Sequence, residues 1–360
     1  MRARLSLPWG AMTRSFFRKN VDAMGPYVPG EQPAAGDRVI KLNTNENPYP
    51  PSPKVAEAVA ASAGVIRLYP DPESVKFRQA VSKAYGFPVD WIIAGNGSDE
   101  LLSVLVRAFV GEGEDVAYPV PTYSLYRTLV RAQGAEAREV PWPEDYTLPP
   151  GLDARLVFVA RPNAPTGTMV PLEDLRGLAR RLQGVLCVDE AYVDFADDDA
   201  MALVREFDNV VVLRTLSKSF SLAGARVGFG VAKPEVITGL RKVKDSYNLS
   251  RMAQAAGEAA LSDLETMRAN AARIKATRAR LVGRLDKMGI PCLPSQANFV
   301  LARIGPEART VYEQLKRRGI LIRYFDQDRL RESIRISIGT DEQIDELVAA
   351  IHEILRSLRA

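Results

Sequence analysis

Val210-Val211-Val212-Leu213 is an unbroken apolar, β-branched run without polar alternation, the pattern of a strand buried on both faces. It stops abruptly in the polar cluster Arg214-Thr215-Leu216-Ser217-Lys218-Ser219. Two other apolar runs end the same way, Leu156–Ala160 before RPNAPTG and Val185–Val188 before DEAY. Further strands are expected at Trp91–Ala94, Asp115–Tyr118 and Val227–Val231, and helices at Tyr123–Gln133 and Glu173–Leu182 separate several of them. Strand–helix alternation of this kind implies an α/β fold, a mostly parallel sheet sandwiched by helices. In such a sheet the three polar clusters share the carboxyl edge, where open α/β folds bind ligands.

Composition narrows the chemistry available at that edge. The 360 residues carry a formal charge of +4, too small to argue for nucleic acid. No apolar run is long enough to span a bilayer. Two cysteines, Cys187 and Cys292, make no disulfide framework and suit a reducing cytoplasm. The single histidine, His352, excludes a histidine-based triad or a multi-histidine metal site in the body of the chain. No metal is expected. Catalysis must use Lys, Asp, Tyr, Arg or a cofactor.

Taken in order, residues 1–50 read as an extended arm, crowded with Pro and Gly in GPYVPGEQPAAG and IKLNTNENPYPPSP. The start is basic, without an acid before Asp22, and Leu5–Trp9 is too short for the core of a secretory signal. A transit peptide and a start at Met12 are the alternatives to a loosely held arm. Residues 51–265 form the expected large domain. Ser52–Ala63 opens it with Ser52 as N-cap and Pro53 at the first helical position, and Val75–Tyr85 is a second helix. Residues 266–360 form a smaller α+β domain. Met252–Met288 reads as one or two helices at the junction. Short strands follow around Asn298–Ala302, Leu321–Arg323 and Ser333–Ile338, with helices at Glu307–Arg318 and Asp341–Leu358. Thr340 and Gln343 form a capping box for the last helix. The arm is expected on the small domain or on a neighbouring subunit.

Lys218, just past a buried strand, can present a neutral amine to an aldehyde cofactor, although a lysine taken alone is more often a surface loop residue. The turn Gly95-Asn96-Gly97 leads into an apolar helix opened by Ser98 and Asp99, whose free N–H groups suit a phosphate. The plain alternative is an ordinary helix N-capped by Ser98. Asp189 ends a buried strand, and its plain alternative is a helix cap. Together the clusters match the needs of a pyridine ring bearing an aldehyde and a phosphate. Asp189 suits the ring nitrogen, Asn163 or Tyr192 the phenolic oxygen, Lys218 the aldehyde, and Ser98, Ser217 and Arg226 the phosphate.

These stretches, with LNTNENPYPPSP, LYPDPES, PTYSLY, LRTLSKSFSLAGARVGF, SQANFVL and IRISIGT, resemble the pyridoxal-phosphate enzymes of the aspartate aminotransferase fold. Within it they resemble the histidinol-phosphate aminotransferase family, from about Tyr27 to the C-terminus. The resemblance implies that Lys218 binds pyridoxal 5'-phosphate covalently, that Asp189 keeps the pyridine nitrogen protonated, and that Tyr192 meets the phenolic oxygen. It places Tyr123 against the ring and Ser98, Asp99, Ser217 and Arg226 around the phosphate. Tyr69 would reach the partner subunit's phosphate in a homodimer with shared sites. Arg335 would grip the substrate carboxylate, and Arg323 and Tyr27, with Asn43 nearby, would bind the substrate's phosphate end. The implied reaction is transamination between histidinol phosphate or imidazole acetol phosphate and glutamate or 2-oxoglutarate, in histidine biosynthesis. An aromatic amino acid aminotransferase and a threonine-phosphate decarboxylase are the rival enzymes. A non-catalytic sensor is a third reading, against which the absence of a helix-turn-helix pattern counts.

Two departures from the family pattern stand out. Ala164 occupies the place of the asparagine that usually faces the phenolic oxygen, and Asn163 is the one neighbouring residue able to replace it. Ser246-Tyr247-Asn248 replaces the usual PYN near the substrate side.

Overall fold

The computed structural model describes residues 15–27, 29–34 and 39–359. The basic leader and Met12 lie outside the described residues. The arm contributes β1 (Ile40–Lys41). Seven strands then build the main sheet: β2 (Ile92–Gly95), β3 (Asp115–Val120), β4 (Glu136–Pro141), β5 (Leu156–Ala160), β6 (Val185–Asp189), β7 (Val210–Thr215) and β8 (Gly228–Val231). Their order is β2-β8-β7-β6-β5-β3-β4. β8 runs antiparallel to both neighbours, and the other pairings are parallel.

The double-sided burial expected of the central strands is present. Along β7, Val210 and Val212 enter one apolar cluster while Val211 and Leu213 enter another on the opposite face. β5 divides in the same way, Val157 and Val159 on one side, Leu156, Phe158 and Ala160 on the other. Each such Val or Leu contributes about 1.5–3 kcal/mol over leaving it exposed. β4 was not anticipated. It is an edge strand of charged and half-buried residues, so it lacks an apolar signature.

Four strands complete the fold: β9 (Phe299–Arg303), β10 (Ile320–Leu321), β11 (Arg323–Tyr324) and β12 (Ser333–Ser337). β11-β12-β9 form an antiparallel sheet, and β10 pairs in parallel with β1 of the arm. The stretch around Leu321–Arg323 is thus split between two sheets. The first apolar cluster continues from the main sheet through Ile274, Leu281 and Leu285 to Val300, Ile334 and Ile336, so the two sheets share one core. The helical region after Ser250 is two helices, Arg251–Leu261 and Leu264–Lys287, broken where Asp263 caps the second by accepting from Thr266 N. The Thr340–Gln343 box is reciprocal, with Gln343 Oε1 accepting from Thr340 N at 2.9 Å and Thr340 Oγ1 from Gln343 N at 3.4 Å.

Register sets the site. Ala160 lies opposite Asp189, and Asp189 opposite Leu213, so β5, β6 and β7 end at one level. Asp189 therefore ends its strand at the same edge from which the loops carrying Asn163 and Lys218 leave.

Candidate active site

The floor of the site is a helix start. The helix Gly97–Phe109 has Asn96 at its N-cap with no side-chain cap bond, so Ser98 lies inside the helix and is not its cap. Its first N–H groups are left uncapped beside Ser217 and Arg226, a donor set suited to a dianion. Arg226 Nη1 donates to Ser217 Oγ at 3.1 Å, and Nη2 meets Asp99 Oδ2 at 3.0 Å. Two glycines make the approach sterically feasible. A Cβ on Gly97 would sit 2.7 Å from Arg226 Nη2, and one on Gly228 would sit 2.6 Å from Ser98 N.

Asp189 ends β6 in full burial, and it caps no helix. Its Oδ2 accepts from Tyr126 Oη at 2.7 Å and its Oδ1 from Ala191 N at 3.2 Å. Burial pushes its pKa up to about 6. The Tyr126 hydrogen bond opposes the rise, the Asp99 charge adds to it, and the Ala191 N–H opposes it. Tyr126 is itself enclosed, stacked on Phe158 with centroids 4.8 Å apart and edge-on to Tyr123 at 5.7 Å. Tyr123 donates to Asp99 Oδ1 at 3.2 Å, and Tyr27 from the arm meets its ring edge-on at 6.3 Å.

Lys218 follows β7, half-buried, with Nζ 5.7 Å from the Tyr192 ring centroid and 3.4 Å from the Thr44 carbonyl. The arm therefore crosses the site. Asn47 donates to the carbonyls of Lys218 and Ser219, both at 3.1 Å. Asn45 donates to Tyr192 Oη at 3.0 Å. Asn43 is buried and gives its amide to Glu31 O, while its carbonyl accepts Arg335 Nη2 at 2.8 Å.

Arg335 on β12 lies opposite Arg323 on β11, a like-charge cross-strand pair. Its Nε is buried and unpartnered. Burial lowers its pKa, and Arg323 lowers it further against the raising effect of Tyr192, Tyr27 and Tyr123. A carboxylate or phosphate between the two arginines would satisfy the orphaned nitrogen and relieve the repulsion.

Residues 37–351 match the family profile "Aminotransferase class I and II". The chain belongs to the class I and II aminotransferases. It is 49% identical to histidinol-phosphate aminotransferase 1 of Trichormus variabilis over 95% of this chain and 99% of that one. A histidinol-phosphate aminotransferase of Citrifermentans bemidjiense is 48% identical, with 94% and 98% covered. Among solved structures, the histidinol-phosphate aminotransferase of Sinorhizobium meliloti in complex with pyridoxal-5'-phosphate superposes with a TM-score of 0.89. It is 31% identical and covers 96% of this chain and 99% of that one.

This aminotransferase gathers most of the residues singled out from sequence. Lys218, Asp189, Tyr192, Tyr123, Ser98, Asp99, Ser217 and Arg226 line one sheet edge, with Tyr27, Arg323 and Arg335 facing them. Asn163 departs from that group. It is buried, with Nδ2 donating to Pro121 O and Thr166 Oγ1 and Oδ1 accepting from Thr122. Both its amide protons are committed to Pro121 O and Thr166 Oγ1, so it has no donor left for a phenolic oxygen. Tyr69 also stands apart, 78% exposed and stacked on Tyr247 with centroids 4.7 Å apart.

Asn45, Asn47 and Tyr126 were not singled out. The Asn43-x-Asn45-x-Asn47 spacing was their only trace in the arm, and Tyr126 follows Tyr123 at the i+3 spacing of one helix face.

The Asp189 environment gives a pH-dependent expectation. Its folded pKa lies above the unfolded value of about 3.9, so the folded state holds the proton longer and stability falls as pH rises from about 4 to about 6. Asp189→Asn removes that cost. In cofactor-free protein the variant should be more stable than wild type by up to about 3 kcal/mol above pH 6, with the difference closing near pH 4. Denaturant melts at about pH 4, 6 and 8 read this directly. A difference that ignores pH would contradict it.

Proposed function

We propose that this aminotransferase binds pyridoxal 5'-phosphate on Lys218 and transfers an amino group between histidinol phosphate and 2-oxoglutarate, its place being in histidine biosynthesis. The observation that carries the reading is the Arg335–Arg323 pair, with its orphaned Nε, facing the Lys218–Tyr192 edge. One site must accept a glutamate carboxylate in one half-reaction and a phosphate monoester in the other, and two adjacent guanidinium groups suit both. The whole-length likeness to histidinol-phosphate aminotransferases supports the same substrates.

Pyridoxal phosphate, when bound, supplies an electron sink for the substrate's Cα. Asp189 holds a proton on the ring nitrogen, and that proton in turn offsets the burial of its carboxylate. The Lys218 amine, held near Thr44 O and the Tyr192 ring, takes the Cα proton as general base. Ser98, Ser217, Arg226 and the uncapped helix start hold the phosphate. Arg335 and Arg323 orient the substrate's far end.

A second copy of the chain belongs to this reading. Tyr69 lies in an exposed apolar patch with Val65, Ile66, Leu68 and Tyr247, which supports a homodimer in which Tyr69 serves the partner's phosphate. Two unpaired cysteines, Cys187 and Cys292, are in keeping with a cytoplasmic enzyme.

Adding single amino donors to the yellow holoenzyme tests the substrate assignment. Histidinol phosphate and glutamate are each expected to bleach the visible band at micromolar to millimolar concentration. Bleaching by phenylalanine but not by histidinol phosphate would mark an aromatic aminotransferase. Release of carbon dioxide from threonine phosphate would mark the decarboxylase.

A further inference from the structure

Ala164 removes a hydrogen-bond donor from the place beside Tyr192, and the structure shows what surrounds the gap. Ala164 packs with Ala297, Phe299 and Tyr192 in a small apolar cluster. Asn163 cannot replace the missing donor, because its two amide protons go to Pro121 O and Thr166 Oγ1. Among the described residues Tyr192 is the donor this leaves for a phenolic oxygen beside residue 164, and the direction of its single O–H proton decides whether it donates at all.

That direction is set by a buried residue outside the strand-end clusters. Asn45 is 2% exposed and sits in the left-handed region with φ 57°. Its backbone N donates to Ser337 Oγ at 2.9 Å, and Ser337 Oγ in turn lies 2.7 Å from Asn45 Oδ1. Among the described residues no other acceptor takes the Ser337 hydroxyl proton, so it goes to Asn45 Oδ1, and this hydrogen-bond network assigns that amide atom as the oxygen. The other amide atom is then the nitrogen, and it donates to Tyr192 Oη at 3.0 Å. Asn298 Nδ2 holds the same segment by donating to Asn45 O at 2.9 Å. A phenol that receives an N–H from Asn45 cannot return its own proton along that line. Among the described residues no acceptor takes the Tyr192 proton, so it is free to point into the site. Two cations stand near the phenol, Lys218, whose Nζ is 5.7 Å from the ring centroid, and Arg335, whose guanidinium stands over the neighbouring Phe299 at 5.2 Å. Neither can accept a proton from it.

We propose that Asn45 is a positioning residue that turns the Tyr192 hydroxyl proton toward the phenolic oxygen of bound pyridoxal phosphate, and that it supports this contact without a second donor because residue 164 is alanine. The inference rests on the cofactor reading given above. It also gives the arm and the small sheet a direct part in tuning the cofactor, since Ser337 on β12 fixes the amide that fixes the phenol.

The test uses holoenzyme and reads colour rather than turnover. The visible absorption of bound pyridoxal phosphate changes as the proton shared with its phenolic oxygen leaves, and a donor to that oxygen lowers the pH of the change. Tyr192→Phe should raise the midpoint. Asn45→Gly should raise it in the same direction by about half a pH unit, the scale of one net hydrogen bond. Glycine is the substitution of choice because it keeps the positive φ without strain and adds no charge. In the Tyr192→Phe background, Asn45→Gly should shift the midpoint no further, which a merely structural role would not produce. Ser337→Ala, a milder change, should give a smaller shift of the same sign and serves if Asn45→Gly does not fold. An unmoved midpoint in Asn45→Gly while Tyr192→Phe moves overturns the role of Asn45 alone, as does an equal shift in both backgrounds. An unmoved midpoint in Tyr192→Phe overturns the cofactor placement, and the inference falls with it.

Discussion

Replacing Lys218 with alanine is expected to give a folded protein to which borohydride reduction no longer fixes pyridoxal phosphate covalently, and which loses about 10⁴-fold in turnover. The fold should survive, because the lysine amine makes only a long hydrogen bond to Thr44 O at 3.4 Å and a distant approach to the Tyr192 ring, 5.7 Å from its centroid. The backbone of its loop is held independently, by Asn47 on the carbonyls of Lys218 and Ser219 and by the Ser219–Asp194 hydrogen bond. The same variant tests the shared site. Mixed and reassembled with Tyr69→Ala protein, which lacks the exposed tyrosine, it should regain activity that neither has alone. A mixed dimer carries one site in which Lys218 from one chain meets Tyr69 from the other. Random assortment puts about a quarter of all sites in that intact state. No recovery on mixing, in protein shown to exchange subunits, would place Tyr69 outside the partner's site. Covalent fixation of the cofactor by reduction in Lys218→Ala would remove the lysine from the cofactor altogether.

The lysine was legible because buried parallel strands write their direction into the sequence. An apolar run of four or five residues ending in a polar cluster marks both a strand and its carboxyl end, and Asp189, the Asn163 loop and Lys218 share that mark. The reversal of β8 was not legible, since Gly228–Val231 reads the same in either direction. Nor was β4, whose charges face solvent at the sheet edge. Within the site, the type of residue was easier to read than its commitments. Asn163 carries the right amide in the right loop, yet Pro121, Thr122 and Thr166 consume it. Asn45 is the converse case. It lies nearly 150 positions from Tyr192, and only the arm's crossing of the site brings the two within hydrogen-bonding distance. Sequence patterning records which face of an element is buried. It does not record where a proline-rich arm comes to rest.

Arg335 offers the other large effect, and here stability and activity should move in opposite directions. Its guanidinium is held between the rings of Phe299 and Phe325, at 5.2 and 5.5 Å, with one bond to Asn43 O, an orphaned Nε and the like charge of Arg323 across the strand pair. A cation so placed, with no carboxylate paired to it among the described residues, opposes folding of the ligand-free protein. Arg335→Leu keeps the apolar packing between the two rings and removes the charge. It should stabilise the ligand-free protein by about 1–2 kcal/mol, reduced from the fully buried case because the residue retains some solvent contact. The glutamate half-reaction should lose about 10²–10³-fold in kcat/KM, the scale of one charge-assisted carboxylate clamp. Inorganic phosphate separates the two effects. In holoenzyme, where the bound cofactor already fills the Ser98–Ser217–Arg226 site, it should raise the melting temperature of wild type by occupying the arginine pair, and raise that of Arg335→Leu much less. A variant less stable than wild type, or one still protected by phosphate to the same degree, would mean that Arg335 is a structural cation and that the anion is held elsewhere. If both expectations hold, the orphaned nitrogen is a binding group kept at the expense of stability, and the substrate's carboxylate is the counter-ion the fold omits.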